Sequence, residues 1–192
     1  VLAAALQDRF YKELRTEQQL GYVVTCFAAR DEGVARLAFV VQGAVLDPLG
    51  VLGRIDAFLK QARSDLASQS ETDLRAIADS LANLRLARDT SLGASVERSW
   101  IEVKSRELCW DRAIVEAAAL RGIRRADVLE AFDGYVGERG QERRRLVTLV
   151  YGSAHRAQFN KVAAKVEATG GQIIKDVEAF ALTQPAWPPC EV

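Results

Sequence analysis

The 192 residues contain a single histidine, His155, and no methionine. A zinc site of the two-histidine kind cannot be assembled from one imidazole. The three cysteines, Cys26, Cys109 and Cys190, stand far apart and form no Cys-x-x-Cys pair, so neither a structural zinc site nor a disulfide framework is encoded. An excess of charge of either sign is missing as well. Lys plus Arg number 26 and Asp plus Glu number 26, which argues against a nucleic-acid module built on clustered positive charge. No apolar run approaches the ~18 residues of a membrane-spanning helix. Neither a Gly-x-Ser-x-Gly nucleophile elbow nor a glycine-rich phosphate cradle occurs, and no repeat of ~20–50 residues is visible. Val1 to Leu6 has no basic leader and is unlike a secretory signal.

What is present suits one soluble globular domain, in the cytoplasm or periplasm: 49% of residues are hydrophobic and 27% charged. Leu2, Leu6, Phe10 and Leu14 recur on one flank of a first helix. That pattern begins at full strength with no capping residue, as if the chain starts inside a helix of a longer polypeptide. Tyr22–Phe27 and Leu37–Val41 are rich in β-branched and aromatic residues, and the Arg30–Gly33 turn between them predicts a hairpin. Asp47-Pro48 opens a helix carrying Leu52, Ile55, Leu59, Ala62 and Leu66. Ser70 with Asp73 resembles a capping box ahead of Leu74, Ile77, Leu81 and Leu84. Leu92–Leu108 follows, with Leu92, Val96, Trp100 and Val103 as its inner face, then a helix capped by Asp111 and ending at Gly122, then Arg125–Val136 with Val128, Phe132 and Tyr135 inward.

The unbroken apolar run Leu146–Tyr151 reads as a buried strand. A helix is expected around Phe159–Val166, a break at Gly170-Gly171, further structure over Ile173–Leu182 and an extended Pro185–Pro189 tail. The fold class is therefore α+β, with helices on one face of an antiparallel sheet. Three strands are few for so much helix, so an open sheet edge and dimerisation through it, as an artefact, are expected.

Most chemistry-bearing residues have plain explanations. His155 reads as a surface residue, Arg143–Arg145 as a solvated run, Cys26 as a small core hydrophobe, and Trp100 and Trp110 as packing residues. One stretch differs: Leu14-Arg15-Thr16-Glu17-Gln18-Gln19-Leu20-Gly21-Tyr22, a helix end broken at Gly21 and followed by a strand. On one reading Arg15 solvates the helix C-terminus and Tyr22 packs on the sheet. On the other, both side chains enter one cleft, where they can hydrogen-bond a carbonyl oxygen as it becomes an oxyanion.

Leu14, Arg15, Thr16, Gln19, Leu20, Gly21 and Tyr22 resemble the Leu-Arg-Thr-x-x-Gln-Leu-Gly-Tyr motif of the last of four homologous domains in the pitrilysin/insulinase peptidases. Leu37–Gln42, Arg54–Leu59, Trp110-Asp111-Arg112 and Ile174–Phe180 are similar to segments that follow in that domain, so the resemblance covers nearly the whole chain. It implies a truncated half-clamshell domain, spanning residues 1–192, that closes a chamber and contacts substrate. The zinc and its inverted His-x-x-Glu-His motif would sit in another domain of the parent, whose reaction would be hydrolysis of internal peptide bonds. Arg15 and Tyr22 are implied as substrate-binding residues, with no metal ligand or catalytic group in this segment. The implied partners are a peptide or unfolded protein and the N-terminal half of the same polypeptide, without nucleic acid or membrane. Two rivals remain: a catalytically inactive paralogue that serves binding or assembly, and an α+β interaction module that uses its open edge.

Overall fold

The computed structural model describes residues 1–31, 34–159, 161–168 and 171–183. Helix α1 (Leu2–Tyr11) buries Leu6 and Phe10, and a turn of π-helix, Lys12–Glu17, carries on to bury Leu14. Strands β1 (Val23–Asp31) and β2 (Val34–Gln42) pair antiparallel from Val23 opposite Gln42 to Asp31 opposite Val34. This is the expected hairpin, starting one residue later at Val23 but extending further toward the turn on both strands and one residue further to Gln42; Glu32 and Gly33 of its turn lie outside the described residues. Period-two alternation turns Val24 and Cys26 inward beside Leu37, Phe39 and Val41, and α1 lies across that face. Burial pushes the Cys26 thiol up to about 12, as befits a side chain used for packing.

Asp47 caps α2 (Pro48–Ser68) by accepting from Gly50 N at 2.8 Å, and Pro48 occupies the first turn. Its buried residues are Phe58, Ala62 and Leu66. Phe10 stands edge-to-face against both Phe39 and Phe58, with centroids 5.2 and 5.1 Å away, which locks α1, the sheet and α2 together. Ser70 accepts from Asp73 N at 3.0 Å to start α3 (Glu71–Leu86). The buried stripe of α3 is Leu74, Ala78 and Ala82 rather than the expected Ile77, Leu81 and Leu84, because small residues let α5 (Arg112–Gly122) lie close along it. Asp111 precedes α5 without capping it; its carboxylate accepts from Cys109 Sγ at 3.6 Å instead. Helix α6 (Arg125–Ala131) runs into a second π turn, Phe132–Val136, that buries Val128 and Phe132 but rotates Tyr135 out to solvent, against expectation.

Two larger departures concern apolar surfaces. Helix α4 (Leu92–Ser105) turns its expected inner face outward: Leu92 is 82% exposed and Trp100 56%, with Val96 and Val103 exposed too. Trp110 is likewise on the surface. The residue α4 buries is Glu102, whose carboxylate receives Arg112 Nε, Arg112 Nη2 (2.7 Å) and Cys109 N (3.0 Å). Arg112 also reaches Glu107 at 2.7 Å, and Glu107 pairs with Arg30 at the end of β1. This charged cluster, in place of apolar packing, sets how α4 sits.

Leu146–Tyr151 is the second departure. It joins no ladder among the described residues, where the sheet has two strands, and its Leu146 and Val150 are 77% and 81% exposed. A continuous apolar run can be buried on both faces only where neighbouring strands and covering layers exist, and β1 and β2 pair with each other. The expected helix at Phe159–Val166 appears as two short pieces, α7 (Arg156–Phe159) and α8 (Val162–Ala168), and α9 spans Val177–Thr183. Gly170 and the Pro185–Pro189 tail lie outside the described residues.

Three outcomes are expected. Phe10→Ala should cost about 3–5 kcal/mol in urea unfolding, because the vacated site joins three elements. Hydrogen bonds from Arg112 hold the Glu102 carboxyl below the ordinary glutamate value of 4.5. A lowered folded-state pKa stabilises the fold above that value, and the contribution is lost as pH falls through the folded pKa; thermal melts below pH 4.5 should show this loss, and Glu102→Ala should flatten it. Gly21 and Gly43 lie backbone to backbone: a Cβ on either would overlap Gln42 O or Leu20 O. Gly43→Ala should therefore weaken the 2.9 Å bond from Tyr22 N to Gln42 O, read as faster amide exchange at Tyr22.

Candidate functional site

Arg15 and Tyr22 are mounted on either side of one chain reversal. The π turn widens the helix end, so Gln18 N bonds back to Glu13 O at 2.9 Å and Leu20 N to Leu14 O at 3.0 Å. Gln19 makes the reversal with φ at 52°, in the left-handed region where glycine is the usual occupant. A glutamine there costs roughly 1–2 kcal/mol of backbone strain. The sequence placed the break at Gly21; the structure assigns the reversal to Gln19 and gives Gly21 a different task, close approach to Gln42 and Gly43. Buried Leu14, Leu20 and Val24 anchor this segment from below.

On that base the Arg15 guanidinium carbon lies 5.8 Å from the centre of the Tyr22 ring, within range of a cation–π contact. Tyr22 is 85% exposed and Arg15 half-buried. Among the described residues no carboxylate pairs with Arg15, although Glu13 and Glu17 are close in sequence; Glu17 takes Lys12 at 3.8 Å and Glu13 accepts from Gln18 Nε2 at 3.2 Å. The two side chains therefore share one open surface, with the guanidinium donors and the phenol hydroxyl uncommitted. Of the two sequence readings, packing of Tyr22 on the sheet does not match this geometry.

Other candidates are not drawn into the site. His155 lies in a 3₁₀ turn, Ser153–His155, and its Nε2 is 3.1 Å from Ala44 O, a tie between that turn and the loop after β2. Arg145 pairs with Asp56 at 2.8 Å and Arg144 reaches the carbonyl of Arg143. Among the described residues no three His, Cys, Asp or Glu side chains come together as metal ligands. The left-handed Gln19 and the glycine contact, which set the geometry, were not anticipated; the recurrence of glycine at both Gly21 and Gly43 was the available signal.

Comparison with known proteins agrees with this architecture. The chain is 28% identical over 95% of its length to insulin-degrading enzyme-like 2 of Arabidopsis thaliana, covering 19% of that protein. It is 28% identical over 66% of its length to human insulin-degrading enzyme, covering 12% of it. The fold superimposes on a crystal structure of pitrilysin with a TM-score of 0.72 at 19% identity, over 96% of this chain and 19% of that one. The chain thus spans about a fifth of the length of the Arabidopsis relative and of pitrilysin. Residues 1–100 match the family described as PQQ synthase PqqF-like, C-terminal lobe domain 4, and with a reversal and hairpin of this form the chain belongs to that family, as a C-terminal domain of the pitrilysin/insulinase type.

Proposed function

We propose that this domain is the chamber-closing, substrate-contacting part of a zinc metalloendopeptidase, and that Arg15 and Tyr22 bind the substrate backbone beside the bond to be cut. The observation that carries the reading is the exposed Arg15–Tyr22 pair, 5.8 Å apart and held by a rigid reversal. On this reading the zinc and the water-activating group are supplied by another domain of the parent polypeptide. The chain's own contribution is electrostatic. Guanidinium and phenol donors, fixed before substrate arrives, hydrogen-bond the carbonyl oxygen and gain strength as negative charge grows on it. The cation over the ring also limits the directions the phenol can take, which lowers the ordering needed when substrate binds.

This reading separates from a packing role in the intact peptidase. Arg15→Ala and Tyr22→Phe should each lower kcat by roughly 10²–10³ while KM changes little, the signature of donors used mainly in the transition state. Arg15→Lys should restore little activity, since a point charge does not reproduce the planar fork. Near-normal turnover with a reduced melting temperature in both variants would refute the assignment.

A further inference from the structure

A second concave surface lies between α2 and the loop that follows the Phe132–Val136 turn. It encloses about 570 Å³, within the ~300–1,000 Å³ of ordinary small-ligand pockets. Its lining shares no residue with the Arg15–Tyr22 surface. The floor is apolar, made by Leu59, Phe132 and Val136. The rim is not neutral: five basic side chains face three acidic ones.

The ion pairing within that rim decides what it can do. Asp133 is taken by Arg63 through two parallel bonds of 2.8 and 2.9 Å. Arg145 holds Asp56 at 2.8 Å and Lys60 holds Glu138 at 3.6 Å. Every acidic side chain of the rim is thus matched. Arg139 and Arg143 are left over, and among the described residues neither guanidinium has an ion-pair or hydrogen-bond partner. Two unspent forks over an apolar floor make a site with a net charge of about +2 (five basic less three acidic), and guanidinium forks match the oxygens of phosphate or carboxylate groups. Each of the three pairs ties α2 to the turn or to the chain after it, and the surplus charge stays on Arg139 and Arg143, where it attracts an incoming anion.

We propose that this cleft binds a small ligand with a doubly charged oxyanion head, received by Arg139 and Arg143, on a short apolar body that covers Leu59 and Val136. The site is independent of the peptidase reading and stands if that reading fails. Titration calorimetry of the 192-residue chain at low salt, with phenyl phosphate in one arm and phthalate in the other, tests it. One-to-one, saturable binding is expected in at least one arm; phenyl phosphate alone identifies a phosphate ester, and phthalate alone a dicarboxylate. Arg139→Gln and Arg143→Gln should each weaken that binding by about tenfold. Arg144→Gln, one residue away and outside the lining, should change it by less than about twofold, as exposed charges do. Arg143→Lys keeps the charge but not the fork, so it should fall between Arg143→Gln and the parent chain even if the glutamine variant folds poorly. No saturable binding in either arm, unchanged affinity in the arginine variants, or an equal loss from Arg144→Gln would overturn the site.

Discussion

Phe10 meets Phe39 on one side and Phe58 on the other, and these two edge-to-face contacts hold the first helix between the hairpin and α2. The three rings come from three elements, and each aromatic pair contributes ~0.5–1.5 kcal/mol beyond the area it buries. Around them Leu6, Leu14, Leu20, Val24 and Cys26 complete one continuous core. The segment that carries Arg15 and Tyr22 is an outgrowth of that core. Leu14 and Leu20 are buried on either side of the reversal, so the residues between and beside them, Arg15 through Gln19 and then Tyr22, can face solvent without being loose. A polar pair on an unanchored loop would have to be ordered by its ligand; here the ordering is done by folding.

The rest of the domain is attached to that core by other means. Along α3 and α5 the contact rests on small residues, Ala78, Ala82 and Ala117, which bring the two backbones close. At the far end of the hairpin, Arg30 connects through Glu107 to the Arg112–Glu102 pair. Ion pairs with desolvated carboxylates fix geometry more than they add stability. The domain therefore has an aromatic centre that supplies cohesion and a charged periphery that sets the positions of α4 and α5.

Much of this was legible from residue order. Leu2, Leu6, Phe10 and Leu14 defined the first helix, Asp47-Pro48 and Ser70 marked two helix starts that the structure reproduces, and the β-branched and aromatic residues of Tyr22–Phe27 and Leu37–Val41 marked the hairpin. For Arg15 and Tyr22 the residues left two readings open, packing or one cleft, and the structure sets both side chains on one open surface. The failures share a cause. Periodicity shows which residues can be buried together, and says nothing about whether a second surface exists to cover them. Leu92, Val96 and Trp100 have helical spacing, and Leu146–Tyr151 has strand character, yet each lacks a partner among the described residues. The two π turns were also invisible, since one extra residue per turn leaves the pattern intact up to the point where it shifts, as Tyr135 shows. Arg139 and Arg143 became notable only once the neighbouring acids were seen to be occupied.

The outward placement of Trp100 and Trp110 has an optical consequence. The core is built on phenylalanine, at positions 10, 39, 58 and 132, and phenylalanine is almost dark in the near ultraviolet. Both described indoles already face water, so their emission is red-shifted in the native state and changes little when the aromatic centre melts. Fluorescence of these two tryptophans reports on α4 and the loop behind it, and loss of the core is visible instead in the far-ultraviolet dichroism of the helices.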